Sequence, residues 1–173
     1  FIGSFASLID RLAKIIEFAV EDNRKVVLEG YSMRTNVSVA REAGLIDAPD
    51  NTFISTEETT NLAPNEFLVL ATGTQGEEFA ALNRMANGTH NDISFRPDDT
   101  IVFSSSVVPG NEQDVADLKD NISQSGADII TYNSDEYTVH SSGHGHRGEL
   151  KWLHEQLQPE YFVPQHGRRY MLE

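Results

Sequence analysis

Histidines cluster near the end of the sequence, where His140, His144 and His146 stand within one short run of serine and glycine. Histidine exchanges a proton near neutral pH and is the commonest metal ligand among the side chains. A single histidine in a loop is usually solvated, but three so close together, followed by a predicted helix, indicate a functional loop. The chemistry would be proton transfer, phosphate binding or metal binding.

A metal site is one interpretation of this cluster. Zinc accepts three or four imidazoles, and His140, His144, His146 and His166 together could form a self-contained zinc site. The number of histidines does not separate metal ligands from proton donors, so both interpretations stay open at this point.

Two further loops follow predicted strands and are rich in glycine and small polar residues. Residues 72–78 contain two glycines that could bring backbone N–H groups to a phosphate, and residues 104–112 begin with three serines. No Lys-Ser/Thr pair follows the first loop, so it is not a nucleotide P-loop. The alternative for both loops is ordinary turn chemistry with no ligand.

Composition limits the classes of protein that this chain can belong to. The absence of cysteine excludes disulfides and thiolate metal sites, and no apolar run approaches the roughly 20 residues of a membrane span. A net charge of −14 argues against a protein that coats nucleic acid by charge alone. Basic residues nevertheless flank the histidines, as in a phosphate-binding cleft: Arg147, Lys151, Arg168 and Arg169.

The elements that must position these loops alternate along the chain. Apolar runs predict strands at residues 25–30, 52–56, 67–73, 100–106 and 127–132, with a short terminal strand at 161–164. Helices are predicted at residues 4–20, 35–43, 78–85, 112–125 and 148–157. This order predicts an α/β fold with a mainly parallel sheet and helices on both faces, a Rossmann-like three-layer arrangement. Ligands should then collect at the carboxyl ends of the strands.

Seven motifs, in order over nearly the whole chain, resemble ribonuclease J, of the β-CASP branch of the metallo-β-lactamase superfamily. They are residues 5–7, 30–36, 72–77, 80–86, 105–112, 140–145 and 164–167. The resemblance implies a β-CASP domain at residues 1–160 and a strand at 161–173 that returns to a metallo-β-lactamase catalytic domain. The His-x-His-x-Asp-His signature of that catalytic domain does not occur in these 173 residues, so we expect it upstream, in a part that this chain lacks.

The resemblance also implies roles for individual residues. Glu77 matches the acidic motif and His144 the histidine motif that assists proton transfer, so both are expected to be catalytic, with Glu77 holding His144 in the useful tautomer. His166 matches a zinc ligand. The substrate phosphate is expected to contact Ser7, Ser105, His140, Ser142 and Gly143.

The implied activity is metal-dependent hydrolysis of RNA phosphodiesters, from a 5′-monophosphate end and in some relatives internally, with roles in mRNA decay and rRNA processing. The parent enzyme is expected to hold two zinc ions and to act in the cytoplasm, with no membrane as a partner. A homo-oligomer is an open alternative. This chain alone is expected to be inactive. The alternatives are an isolated α/β module that binds a nucleotide or RNA end without cleaving it, and a β-CASP nuclease that acts on DNA.

Overall fold

The computed structural model describes residues 1–134, 136–141 and 143–163. The chain divides into two compact units, Phe1–Ser141 and Ser142–Glu173. The first unit holds the sheet and four helices, and the second unit is built around one helix, α5 (Arg147–Leu157). None of the described helices is long and apolar enough to cross a membrane.

A six-stranded sheet forms the centre of the first unit in the part of the chain that the structure describes. All neighbouring strands are parallel, and the spatial order is β3-β2-β4-β1-β5-β6. In chain order the strands are β1 (Ile2–Gly3), β2 (Lys25–Glu29), β3 (Phe53–Ile54), β4 (Phe67–Ala71), β5 (Thr100–Phe103) and β6 (Asp128–Ile130).

Four helices cover the two faces of this sheet: α1 (Ile9–Glu21), α2 (Tyr31–Glu42), α3 (Ala81–Ala86) and α4 (Glu112–Ser123). Short 3-10 turns at Asp50–Thr52, Glu57–Asn61 and Pro64–Glu66 complete the connections. Alternate strand residues serve opposite faces: Leu70 packs with α1 and α2, whereas Val69 packs with α3 and α4. The predicted α/β fold with three layers is therefore confirmed.

The start of the chain differs from the predicted helix at residues 4–20. Residues 2–4 instead lie between β4 and β5, where the Ser4 N–H donates to the Ala71 carbonyl and the Gly3 carbonyl accepts from Ser104. The helix begins only at Ile9. A strand of two residues has no periodicity of its own, so only its neighbours in the sheet reveal it.

Other predicted boundaries also move. Helix α3 begins at Ala81 rather than at residue 78. Helix α2 begins at Tyr31 rather than at residue 35, directly after β2. The predicted terminal strand at 161–164 lies partly outside the described residues, and residues 161–163 are not in a strand.

The order of the strands places a crevice between β1 and β5. After β1 the chain returns through α1 to β2 on one side, whereas after β5 it passes through α4 to β6 on the other. Neighbouring strands whose connections diverge in this way leave an opening at their carboxyl ends, where ligands of α/β proteins bind. The loops that follow β1 and β5 therefore form the first place to look for a site.

Candidate functional site

One arginine ties together the elements around this crevice. Arg11, in the first turn of α1, donates from Nη1 to the Ser104 carbonyl at 2.7 Å and to His140 Nδ1 at 2.7 Å. The Ser104 hydroxyl donates to the Val139 carbonyl at 2.7 Å, which fixes the segment before His140 to the end of β5. Three segments far apart in sequence thus meet at one point.

The contact with Arg11 defines the protonation state of His140. A guanidinium can only donate, so Nδ1 must accept, and the ring proton of the neutral imidazole is on Nε2. Burial lowers the pKa of His140 below its usual 6.5, and the positive charge of Arg11 lowers that pKa further. At neutral pH the positive charge of the crevice therefore comes from Arg11.

The predicted phosphate-binding serines of the first unit are in different environments. Ser7 is exposed and lines a cavity of about 310 Å³ together with Arg11 and the residues between them. Ser105 is only 3% exposed, so little of its surface is open to a ligand. Ser4, which was not predicted, is buried at the end of β1, and its hydroxyl has no hydrogen-bond partner among the described residues.

A buried glutamine connects the loop after β4 to the loop after β5, although β1 separates these two strands. Gln75 donates from Nε2 to the Ser106 carbonyl at 3.0 Å, and its Oε1 accepts from the Val108 N–H at 2.8 Å and the Asn111 amide at 3.5 Å. The side chain is 5% exposed. Its amide therefore holds the two loops at a fixed distance across the crevice.

Glu77 lies at the exposed end of the same loop. Its Oε2 accepts from the Gln75 backbone N–H at 3.2 Å. The Asn83 amide donates to the Gly76 carbonyl at 3.0 Å and to the Glu77 carbonyl at 3.3 Å, which ties the loop to α3. These contacts fix the loop and hold the exposed Glu77 carboxylate beside the Gln75 N–H.

Substituting Gln75 with Ala should destabilise the first unit. The change removes the hydrogen bonds of the Gln75 amide to the Ser106 carbonyl and the Val108 N–H, and each such bond contributes about 0.5–1.5 kcal/mol. We therefore expect a loss of about 1–3 kcal/mol in the free energy of unfolding. Urea denaturation followed by circular dichroism measures the free energy of unfolding.

The control for this substitution is Gln113→Ala, because Gln113 is exposed and its amide donates to Asp117 on the same helix. We expect a change within about 0.5 kcal/mol there. Equal losses in the two variants would show that Gln75 does not hold the loops together.

The second unit contains the rest of the predicted histidine loop. Gly143 and His144 are exposed and precede α5. The His146 N–H donates to Glu149 Oε2 at 2.6 Å, a contact that caps the N-terminus of α5 at His146. Ser142 and His166 lie outside the described residues.

No group of three or more metal-ligating side chains occurs in the part of the chain that the structure describes. The described histidines therefore do not assemble a zinc site among themselves. His166, the residue that the resemblance assigns to zinc, is not among them, so its predicted role stays a prediction.

Sequence reasoning missed two residues that organise the crevice. The sequence marks Arg11 only weakly as a functional residue, because it is a single arginine in the first turn of a helix that follows a serine-containing loop. Gln75 was within a loop of interest but was not singled out. The roles of both residues come from contacts with residues distant in the sequence, which no local pattern records.

Comparison with protein families places this three-layer unit in a nuclease class. A model of the family "Ribonuclease J, beta-CASP domain" matches residues 1–122, and a model of the "Zn-dependent metallo-hydrolase RNA specificity domain" matches residues 135–173. The chain belongs to the ribonuclease J β-CASP family, which confirms the resemblance seen in the sequence motifs. The predicted boundary at residue 160 stays a prediction.

Curated relatives agree with this assignment. The chain is 42% identical over 165 residues to "Ribonuclease J 1" of Streptococcus pyogenes, covering 95% of this chain and 29% of the relative. It is 41% identical over 166 residues to ribonuclease J of Corynebacterium glutamicum (96% and 23%) and 39% identical over 171 residues to that of Mycobacterium tuberculosis (99% and 30%). The chain thus spans less than a third of the length of these relatives.

Proposed function

We propose that this chain is the substrate-binding β-CASP part of a metal-dependent ribonuclease that hydrolyses RNA phosphodiesters from a 5′-monophosphate end. The observation that carries the proposal is the contact of Arg11 with both Ser104 and His140 at the crevice between β1 and β5. It puts a fixed positive charge beside the cavity that Ser7 lines. An anion such as a terminal phosphate is the ligand that this charge favours.

The residues proposed to bind the substrate phosphate are Ser7, Ser105, His140, Ser142 and Gly143. The guanidinium of Arg11 gives the site its charge at neutral pH, and the hydroxyl of Ser7 and the Nε2–H of His140 can donate to phosphate oxygens.

Catalysis in the parent protein is proposed to use Glu77 and His144. A histidine that protonates the leaving oxygen needs a carboxylate partner that holds its tautomer, and Glu77 is an exposed carboxylate fixed by the Gln75 N–H. Phosphodiester hydrolysis then breaks the P–O bond to the leaving oxygen, which takes the proton from His144, while water supplies the new oxygen on phosphorus.

The proposal places zinc in the parent protein, outside the residues that the structure describes. One matching family carries the description "Zn-dependent", whereas the described residues contain no metal-binding group. We therefore place the zinc ions, two in the proposal, in the metallo-β-lactamase domain of the same protein, with His166 as one ligand. The residues that the structure describes do not fit a zinc site by themselves.

The remaining features of the proposal follow the family. They are a cytoplasmic location, processive release of nucleotides from the 5′ end with internal cleavage as a second activity, and roles in mRNA decay and rRNA processing. Assembly into a homo-oligomer belongs to the same set.

A second candidate function is binding of a nucleotide or an RNA end without cleavage. The absence of a metal-binding group from the described residues favours it for this chain taken alone. The chain alone should release no nucleotides from 5′-phosphorylated RNA with Mn²⁺ or Zn²⁺ under either candidate, and such release would mean that a metal site exists within these 173 residues. The two candidates differ in a protein that joins this chain to a metallo-β-lactamase catalytic domain, where only a part of a nuclease should support metal-dependent release of nucleotides.

Ribose 5-phosphate should bind this chain in the crevice, and ribose should not, because Arg11 recognises the phosphate. Amide shifts in NMR titrations should concentrate on Ser7, Arg11 and His140.

Arg11→Met should weaken binding at least about tenfold, since it removes a charge-assisted hydrogen-bond donor. Arg24→Met is the matched control, because Arg24 lies near the opposite edge of the sheet, before β2. Equal shifts from the two sugars would refute the phosphate site.

The imidazole of His140 provides a second readout of the same site. Because its folded pKa is below 6.5, the unfolded chain takes up the proton more readily, and stability is lost as pH falls below 6.5 toward the folded pKa. Ring NMR signals should give a pKa below 6.5 in the free chain and a higher value with ribose 5-phosphate bound, since the anion favours the cation. A pKa that the phosphate does not change would place the ligand elsewhere.

A further inference from the structure

A buried carboxylate at the end of β2 has no role in the site described above. Glu29 is the last residue of β2 and is 7% exposed. Its Oε2 lies 3.3 Å from His90 Nε2 and 3.6 Å from Arg34 Nη1. A buried charge is retained only where partners compensate its loss of hydration, and these two side chains are the partners.

The histidine in this cluster has a defined tautomer. His90 Nδ1 accepts from the Asp92 N–H at 3.4 Å and from the Ile93 N–H at 3.3 Å. The ring proton is therefore on Nε2, from which His90 donates to Glu29 Oε2. His90 is thus fully used in holding Glu29 and the loop after α3.

The second carboxylate oxygen of Glu29, Oε1, does not take part in the contact with His90. Within the described residues Glu29 Oε1 has no hydrogen-bond partner, and the residue lines a cavity of about 300 Å³ between the ends of β2 and β3. Arg34 lines the same cavity, and its only described contacts are the Leu28 carbonyl at 3.3 Å and Glu29. The cavity therefore offers one open acceptor beside a guanidinium with spare donors.

The helix that carries Arg34 also carries an exposed aromatic ring. Tyr31 is the first residue of α2 and is 82% exposed. It precedes Arg34 by three residues, and residues with this spacing are neighbours on a helix surface. An exposed ring at the carboxyl edge of the sheet provides a flat apolar surface on which a planar ligand can stack.

We propose that the cavity at the end of β2 binds one unpaired base of the RNA, with Glu29 Oε1 accepting a base N–H, Arg34 donating to a neighbouring base acceptor, and Tyr31 stacking on the ring. A nucleobase presents N–H donors and O or N acceptors side by side on a planar edge. A metal ion does not fit, because the Arg34 guanidinium is already beside the carboxylate. This inference rests on the proposed RNA-binding function.

The position of the cavity suits a chain of nucleotides whose phosphate is in the crevice. Strand β4 alone separates β2 from β1, and neighbouring strands are about 4.8 Å apart, so the two strand ends are roughly 10 Å apart. Both lie at the carboxyl edge of the sheet. A base near the bound end of the RNA can therefore reach the cavity.

NMR titration of this chain with adenosine, cytidine and uridine, with ribose as the ligand without a base, tests the proposal. We expect at least one nucleoside, and not ribose, to shift the amides of Glu29, Tyr31 and Arg34. Tyr31→Ala and Arg34→Leu should each weaken nucleoside binding about fivefold or more, as loss of base stacking does elsewhere. The Tyr31 side chain is exposed, so the fold should tolerate Tyr31→Ala. Arg34→Leu removes one of the two partners of Glu29, so its free energy of unfolding is measured alongside, and Tyr31→Ala tests the proposal if that variant is unfolded.

The matched control is Phe18→Ala, which removes an exposed aromatic ring near the far end of α1, away from the carboxyl edge. Tyr31→Phe should keep the affinity, because stacking needs the ring and not the hydroxyl. Shifts from no nucleoside, or equal losses in Phe18→Ala and Tyr31→Ala, would overturn the base pocket. Because nucleosides carry no phosphate, such a result leaves the ribose 5-phosphate experiment to decide the proposed function separately.

Discussion

Replacing His144 with Ala, or Glu77 with Gln, should lower kcat by about 10²–10⁴-fold in a protein that joins this chain to a metallo-β-lactamase catalytic domain. Proton transfer by a positioned side chain typically contributes that much. The Glu77 carboxylate is already fixed by the Gln75 N–H, so its proposed task is to orient the imidazole and not to bind the substrate. KM should therefore change much less than kcat.

The double variant distinguishes a working pair from two separate residues. If Glu77 acts only through His144, the loss in Glu77→Gln plus His144→Ala should be close to the loss in His144→Ala alone. Rates with 5′-phosphorylated RNA under saturating conditions give this comparison directly. Losses that multiply in full would show that the two side chains act independently.

Matched controls come from the loop of Glu77 and from helix α5, which follows the histidine loop. Glu78→Gln removes an exposed carboxylate next to Glu77, and His154→Ala removes an imidazole whose ring contacts Phe162 edge-on. Both should keep nearly full activity. A loss in Glu78→Gln as large as that in Glu77→Gln would indicate that general negative charge matters there, and not one placed carboxylate.

The fold was largely predictable because its signals are local. Continuous apolar runs such as residues 67–71 predict buried parallel strands, and the stripe of Leu12, Ile16 and Ala19 predicts a helix with one buried face. The exception is β1, which has two residues and yet lies between β4 and β5. Only its pairing with strands about 70 and 100 residues further along the chain makes it a strand.

The site was predictable only where a motif could be compared with a known family. The resemblance named Ser7, Glu77 and His140, whereas Arg11 acquires its role from partners 93 and 129 residues away. In the sequence Glu29 is only a polar residue at the end of a predicted strand. Its contact with His90, 61 residues further along the chain, exists only in the folded protein. Charges whose partners come from distant segments are invisible to periodicity and spacing.

Gly76→Ala should strongly destabilise the fold. Gly76 has φ +80°, and a Cβ at this position would lie 2.5 Å from the backbone C and O of Asp114 in the first turn of α4. The left-handed backbone costs a residue with Cβ about 1–2 kcal/mol. Overpacking against a backbone that cannot rotate away adds about 1–3 kcal/mol, so we expect a loss of about 2–5 kcal/mol.

The control for this substitution separates backbone strain from the clash. Gly88 also has a positive φ, +65°, but a Cβ there has no neighbour within 4 Å, so Gly88→Ala should lose only the strain of about 1–2 kcal/mol. Urea denaturation gives both losses, and an unchanged m-value would show that the denatured state is unaffected.

The difference between the two variants reports how closely the loop after β4 must approach α4. The Gly76 carbonyl accepts from the Asn83 amide. On either side of Gly76, Gln75 contacts the loop after β5, and the Glu77 carboxylate accepts from the Gln75 N–H. If α4 cannot yield, the loop must shift, and Gly76→Ala should also weaken binding of ribose 5-phosphate while Gly88→Ala leaves it unchanged. Equal losses of stability in the two variants would mean that α4 moves aside at no cost, so that the spacing of the crevice is set by Gln75 and Arg11 and not by the glycine.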